Sequence, residues 1–451
     1  MFRVSILALA LLSAGCVPLD PTWQRPDAPV PATLPGAHGE ATAVVSQWQQ
    51  VMNDARLKSV VTMALNSNRD VQKAIADIDA ARAQYGETRS SLFPTVDAEL
   101  SHTRSRTLAS GVATSDEANG AVSSFELDLF GRNQSLSRAA RETWLASEFT
   151  AQNTRLTMVS ELTTAWVTLA ADNSNLALAK STMESAANSL KIVKRQQDVG
   201  VAAATDVSSA MAVYQQARAS VASYRTLVMQ DKNALNLLAG DTVPDNLLPG
   251  TLESLSDNAI TLIPAGVSSS ALLRRPDIQE AEHNLLSANA NIGAARANFF
   301  PRISLTGSLG RVSGDLDGLF SAANRAWSFG PSISLPLFDM GRNQANLEAA
   351  RAAREIAVAQ YEKAIQTAFR EAADALAGRA TLADQLAALQ AQAVAERDRF
   401  RLADLRYRNG IANYLDLLDA QRSLFAIEQS LAQVRLAQRA NEVQLYKALG
   451  G

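Results

Sequence analysis

The amino-acid sequence predicts a mainly α protein with a small β part, organised as one unit copied twice. Three observations carry that expectation. Glycine (22) and proline (14) together make up about 8% of the 451 residues, against an average usage near 12%. The 14 prolines are also unevenly placed: six lie between Pro18 and Pro35, and none falls in residues 95–243 or 337–451, so those stretches can carry helices far longer than the usual ~11–12 residues. Lastly, short motifs recur at a nearly constant offset, and four segments alternate in polarity with the period of a strand. The formal net charge is −3 and the hydrophobic share 47%, with no sustained basic stripe on which nucleic acid could gain a footing.

The N-terminus reads as an address. Met1-Phe2-Arg3 is basic and residues 4–12 form a short apolar run, about half the ~20 residues needed to span a bilayer. Ser13-Ala14-Gly15 before the lone Cys16 resembles the bacterial lipobox, whose thiol is acylated and becomes the first residue of the mature chain. Residues 1–15 are thus expected to be a signal peptide, and 16–47 an acylated cysteine followed by a proline-rich, extended tether. Val17 in the second mature position suggests passage to the outer membrane.

The duplication sets the remaining order. Asn68-Arg69-Asp70-Val71 recurs as Arg275-Pro276-Asp277-Ile278, and Leu92-Phe93-Pro94 as Phe299-Phe300-Pro301, at an offset of 207; Gly131-Arg132-Asn133-Gln134 recurs as Gly341-Arg342-Asn343-Gln344, Gly200 as Gly410, Asp206 as Asp416 and Gly240 as Gly450, at 210. The two structural repeats are expected at 48–240 and 270–451, joined by a linker at 241–269. Each begins with a helix (54–92, then 270–299) that stops at Phe-Pro. Alternating segments follow at 95–107, 122–130, 303–312 and 327–338; in the second, Phe125, Leu127 and Leu129 alternate with Ser124, Glu126 and Asp128. Their lengths suit the ~9–11 residues of a transmembrane strand. Four strands close no barrel, and an open edge is not tolerated in lipid. Spanning strands would therefore require the chain to oligomerise, with two or three copies equally compatible with the strand count.

Residues 133–199 and 343–409 are then expected as long helices, each able to run ~100 Å at 1.5 Å per residue, and 206–239 and 416–449 as their return helices. Leu417, Ala420, Leu424, Ile427, Leu431 and Val434 keep a 3–4 spacing, as do Val207, Ala210, Tyr214, Ala217, Val221 and Tyr224, which is the seam of helix-on-helix packing. Alanine, serine and threonine elsewhere fit either a hollow wall wetted on both sides or a solvated coiled-coil rod.

Catalytic signals are weak. His38, His102, His283 and Cys16 have no metal-ligand spacing. Gly307-Ser308-Leu309-Gly310-Arg311 lacks the lysine of a phosphate-binding loop, Asp77 and Asp79 lie in a helical pattern, and Glu396, Arg397, Asp398, Arg399 and Arg401 read as a wetted face with local ion pairs. An enzyme is not expected, and no cofactor is expected beyond the covalent lipid on Cys16.

Several of these motifs in order, from the lipobox through Phe125-Glu126-Leu127-Asp128-Leu129-Phe130-Gly131-Arg132, Arg274-Arg275-Pro276-Asp277-Ile278 and Ala294-Ala295-Arg296-Ala297-Asn298-Phe299-Phe300-Pro301 to Tyr407-Arg408-Asn409-Gly410, resemble the TolC/OprM outer-membrane efflux channels, in their lipoprotein branch. The resemblance covers residues 48–451. It implies a homotrimer whose long antiparallel helices form an α-barrel, continued by a 12-stranded transmembrane β-barrel with four strands per chain. It further implies a passive exit duct in the outer membrane for drugs or other small molecules, working with a periplasmic adaptor and an inner-membrane RND-type pump. A type I protein-secretion duct of the same fold and a pore-less lipoprotein spacer are the alternatives. By the same resemblance Gly200 and Gly410 mark the periplasmic tips, Leu415, Asp416 and Asp419 the gate and selectivity ring, and Tyr407, Thr205 and Asp206 a polar network at the tips. The arginine of that network is replaced by Ala412.

Overall fold

The structure is a computed structural model and describes residues 19–35, 47–107, 111–256, 259–260 and 269–451. The expected signal peptide and Cys16 lie outside the described residues. Helices α1 (Trp48–Val51), α2 (Ala55–Ser67) and α3 (Arg69–Ser90) precede strands β1 (Val96–Thr107) and β2 (Gly111–Leu127), then α4 (Arg132–Asp198) and α5 (Ala204–Ala239). The second half runs through α6 (Pro276–Ala297), β3 (Arg302–Ser313), β4 (Arg325–Ser334), α7 (Arg342–Arg408) and α8 (Tyr414–Ala448). Both α4 and α7 are 67 residues long. No helix among the described residues is long and apolar enough to cross a membrane.

Two compact units emerge, and they do not coincide with the repeats. One holds the described part of Met1–Ala28 with Ala76–Phe149 and Gln279–Lys363; the other holds Pro29–Ile75, Thr150–Ile278 and Ala364–Gly451. Each unit therefore draws on both copies. The core of the second unit, for example, joins Leu162 and Trp166 of the first copy to Val443 and Tyr446 of the second.

In the first unit the four strands form one antiparallel sheet in the order β1-β2-β3-β4. β2 is 17 residues long, starting well before the expected 122: its first half has Val112 as its one large apolar residue and no apolar alternation, and it is the hairpin with β1, Val96↔Val122 through Thr107↔Gly111, that makes it a strand. β4 stops at Ser334, short of the expected 338, where Pro336 removes a donor. One irregularity governs the sheet's faces. Between Val122↔Gly307 and Phe125↔Leu305, β2 carries one residue more than β3, with Ser124 at φ 56°. This bulge shifts parity, so Phe125 and Leu127 join the face of the even-numbered residues before them.

The first described part of the segment expected as an extended tether, from Leu19 to Arg25, is strapped down within this unit. Ser135 Oγ donates to Asp20 at 2.7 Å, Arg138 pairs with Asp20 at 2.6 Å and Arg25 with Glu282 at 2.6 Å. Asn289 and Arg296 donate to the carbonyls of Pro21 and Leu19. A side chain at Gly293 would overlap the Asp20 carboxylate. Proline rigidity is used here to lay the chain along a helix surface.

The second unit holds the larger core, in which Met52, Leu57, Val60, Leu162, Trp166, Leu169 and Leu235 are fully buried. The described linker belongs to it: Trp166 Nε1 donates to Leu247 O at 3.2 Å, and Glu253 accepts from Ser174 and pairs with Arg435. The helix expected over 54–92 breaks at Asn68, whose Oδ1 accepts from the Asp70 and Val71 amides and caps α3. Its Nδ2 donates to Leu238 O at 2.9 Å near the end of α5. The copy repeats this clasp with different chemistry: Arg275, 5% exposed, donates to Ala448 O at 2.9 Å at the end of α8 and to Asp277 and Glu371 at 2.7 and 2.8 Å. Gly240 and Gly450, both at positive φ, let the chain end each return helix against its clasp.

Candidate functional site

The residues expected at the tips all lie in the second unit, around two matching turns. α4 passes to α5 through Gly200 (φ 79°), and α7 to α8 through Gly410 (φ 73°). At each turn the glycine and its successor bond back to the helix end: Gly200 N to Gln197 O and Val201 N to Gln196 O, then Gly410 N to Tyr407 O and Ile411 N to Arg406 O. This is the glycine-terminated closure that satisfies the last helical carbonyls. Open space surrounds both Cα atoms, so the left-handed backbone alone calls for glycine here.

The two return helices start differently. At α5 the Ala203 amide donates to Asp206 Oδ2 at 3.2 Å. At α8 the amide of Asp416 donates to Asn413 Oδ1 at 2.9 Å, so Asn413 caps the helix and the Asp416 carboxylate is left exposed. Duplication has therefore released Asp416 from the structural task its counterpart performs.

Under the turns, Leu190, Val193, Ala210, Tyr407, Tyr414, Leu417 and Leu418 form a small core. Tyr407 donates its hydroxyl to Gln196 Oε1 at 2.6 Å, tying α7 to α4, and meets Tyr414 edge-on with ring centroids 5.5 Å apart. Burial, then the Asp206 charge, pushes the Tyr407 hydroxyl above its ordinary pKa. Burial pushes Tyr414 up to about 12, helped by Tyr407. Both phenols stay neutral at any physiological pH. Of the expected network, Tyr407 bonds to Gln196 and Asp206 to the Ala203 amide, whereas Thr205 is exposed on the first turn of α5. Gln196 and Tyr414 are members that sequence reasoning missed; the apolar spacing Tyr414, Leu417, Leu418 was the available signal.

Leu415, Asp416 and Asp419 are all exposed, Leu415 by 67%. The two carboxylates do not form a purely acidic surface. Asp419 is ion-paired with Arg399 of α7, which also holds Glu396 and Ser423, and the groove lined by Asp416 and Asp419 also contains Asp398, Arg399 and Arg406. The charge run read from sequence as a wetted face therefore crosses between helices, as Arg397 does too in pairing with Glu428. Among the described residues no group of three His, Cys, Asp or Glu could hold a metal ion.

The outer membrane efflux protein family matches this chain over residues 60–241 and again over 267–451. The toluene efflux pump outer membrane protein TtgC of Pseudomonas putida is 42% identical over 462 residues, covering 99% of this chain and 95% of that protein. The outer membrane protein OprJ of Pseudomonas aeruginosa is 40% identical over 460 residues, covering 100% of this chain and 96% of its own length. Among solved structures, the open state of the MtrE outer membrane channel of Neisseria gonorrhoeae superposes with a TM-score of 0.89 at 35% identity, covering 96% of this chain and 98% of that one.

Proposed function

Because the chain belongs to the outer membrane efflux protein family and is an outer-membrane channel component of an efflux pump, we propose that three copies assemble into one continuous duct and that its periplasmic end is the gate. The observation that carries the proposal is the open sheet. β1 and β4 each pair on one side only among the described residues, and a lipid-facing sheet with two free edges has to find partner edges. Three such sheets give a 12-stranded barrel, inside the range known to be stable. The long hairpins α4-α5 and α7-α8 would line the periplasmic passage, with Gly200 and Gly410 at its tips. Exposed Val199, Val201 and Ile411 at those turns suit docking by an apolar partner surface, here a periplasmic adaptor linked to an inner-membrane RND-type pump. Cys16 would carry the lipid anchor. Relatives named for antibiotic and toluene efflux support small molecules as cargo over secreted proteins, and conduction is passive.

Within the gate, Leu415 would narrow the opening and Asp416 would supply its fixed negative charge, since Asp419 is already occupied by Arg399. Three copies would set three Asp416 carboxylates around one axis, a focus for cations. The test is conductance in planar bilayers with added multivalent cations. Asp416→Ala should raise the cation concentration needed for half block, and Arg399→Ala, which frees Asp419, should lower it. An unchanged block in both variants sinks the ring.

A further inference from the structure

The two faces of the sheet sort their charges by sign. Ladder register places Val96, Val122, Gly307 and Phe329 in one transverse row, and Ala98, Gly120, Leu309 and Trp327 in the next. After the bulge, Phe125, Leu305 and Pro331, then Leu127, Ile303 and Ile333, continue the same face. Trp327, Phe329 and Ile333 on it are exposed by 67–75%. This is the apolar face. The opposite face carries Asp97, Glu99, Glu117 and Glu126, with Arg302 as its one cation.

Toward the hairpin end, the apolar face changes character. Arg311 and Arg325 stand directly opposite each other at the end of the β3-β4 ladder, and Arg104 and Arg106 stand in the last rows of β1 opposite Thr114 and Val112. All four fall on the face of Trp327 and Phe329. Like charges directly opposite on a sheet are destabilising. The only carboxylate on this face of the strands is Asp116, and its Oδ1 is held by His102 Nδ1 at 2.5 Å. Among the described residues no ion pair engages any of the four arginines. Ladder register puts Arg311 and Arg325 in the row of Leu100 and Ala118, and Arg104 and Arg106 two and three same-face rows nearer the hairpin, with Asp116 in the row between. Two guanidinium pairs bordering an apolar band, with one carboxylate among four cations, need an anion delivered at the edge of a hydrocarbon layer.

We infer that Arg104, Arg106, Arg311 and Arg325 form a docking site for the head group of a phosphate-bearing membrane lipid, whose acyl chains lie on the band of Val96, Leu309, Trp327 and Phe329. The planar fork of arginine matches phosphate oxygens two at a time, and the aromatic side chains sit where a sheet meets the interfacial region. The occupant is an amphiphile, since the cations and the apolar band belong to one continuous surface. This rests on the reading of the strands as membrane-spanning.

The test uses the purified full-length protein in mixed micelles with diphosphoryl lipid A or its dephosphorylated form, and counts retained lipid by native mass spectrometry. The wild type should retain about tenfold more of the diphosphoryl lipid than the Arg104→Gln, Arg106→Gln, Arg311→Gln, Arg325→Gln variant, lose that excess with the dephosphorylated lipid, and lose it as salt rises. Arg302→Gln, on the opposite face, should behave as wild type. Equal retention by the fourfold variant, or an equal loss in Arg302→Gln, overturns the site. If the fourfold variant does not assemble, Arg311→Gln with Arg325→Gln gives the same reading. Insertion of each protein into phosphatidylcholine liposomes is scored in parallel. A variant that inserts but loses lipid supports the site, and a wild type that fails to insert overturns the membrane-spanning reading on which it stands.

Discussion

Replacing Arg275 with methionine keeps most of the buried aliphatic volume and deletes the guanidinium. Four hydrogen bonds disappear: two to Asp277 at 3.0 and 2.7 Å, one to Glu371 at 2.8 Å and one to Ala448 O at 2.9 Å. Breaking a buried ion pair from one side costs ~3–5 kcal/mol. The two carboxylates left behind retain 27% and 24% of their exposure, so water recovers part of their solvation, and the expected cost falls to about 2–3 kcal/mol. At ~1.4 kcal/mol per decade, unfolding should accelerate by roughly 30–140-fold if the clasp opens before the transition state. The assay is the half-life of helical ellipticity at fixed temperature for the full chain in detergent. Glu371→Gln, which leaves the Asp277 fork in place, should cost about 1 kcal/mol. A methionine variant that unfolds within about twofold of wild type, or a Glu371→Gln variant that is equally impaired, would refute the clasp.

Three other outcomes are expected. Asn68→Ala removes both the cap of α3 and the grip on Leu238 O and should cost ~1–2 kcal/mol in the same assay. Gly240→Ala places a side chain at φ 75° against the Ser67 carbonyl, and should destabilise by ~2 kcal/mol or more, whereas Gly200→Ala, in open space, should cost only the ~1–2 kcal/mol of the left-handed backbone. Asp231 is raised to about 6 from an ordinary 3.8 by burial and by the Asp172 carboxylate beside it. The native state therefore holds a proton that the unfolded chain has lost between those values, and stability should fall as pH rises from ~4 to ~6. With the side chain partly solvated the loss is on the order of 1 kcal/mol. Asp231→Asn should match wild type at pH 4 and exceed it at pH 7; an unaltered pH profile would count against the pair.

Some of the site was legible because it is local. Gly200 and Gly410 need a left-handed backbone whatever surrounds them, and the seam of Leu417, Ala420, Ile427 and Leu431 is written in spacing. Tyr414 and Gln196 were not legible as partners of Tyr407, since nothing in a 3–4 pattern says which neighbouring helix a phenol will reach. Nor was the pairing of Asp419 with Arg399, which turned two equivalent acids into one occupied and one free.

The sequence by itself determined the duplication, the proline-free lengths of α4 and α7, the turns and the short period-2 strands, all of which depend on backbone dihedrals and near neighbours. Tertiary structure alone decided that Asn68 splits a helix, that residues 19–28 strap down, that β2 begins at Gly111 and that its bulge sets which residues share a face with Trp327. These choices depend on partners 170 residues away for Asn68 and 257 for Arg25, and on the facing strand of a hairpin for β2: an amide needs a carbonyl, a carboxylate needs a cation, and a strand exists only when its neighbour is in register.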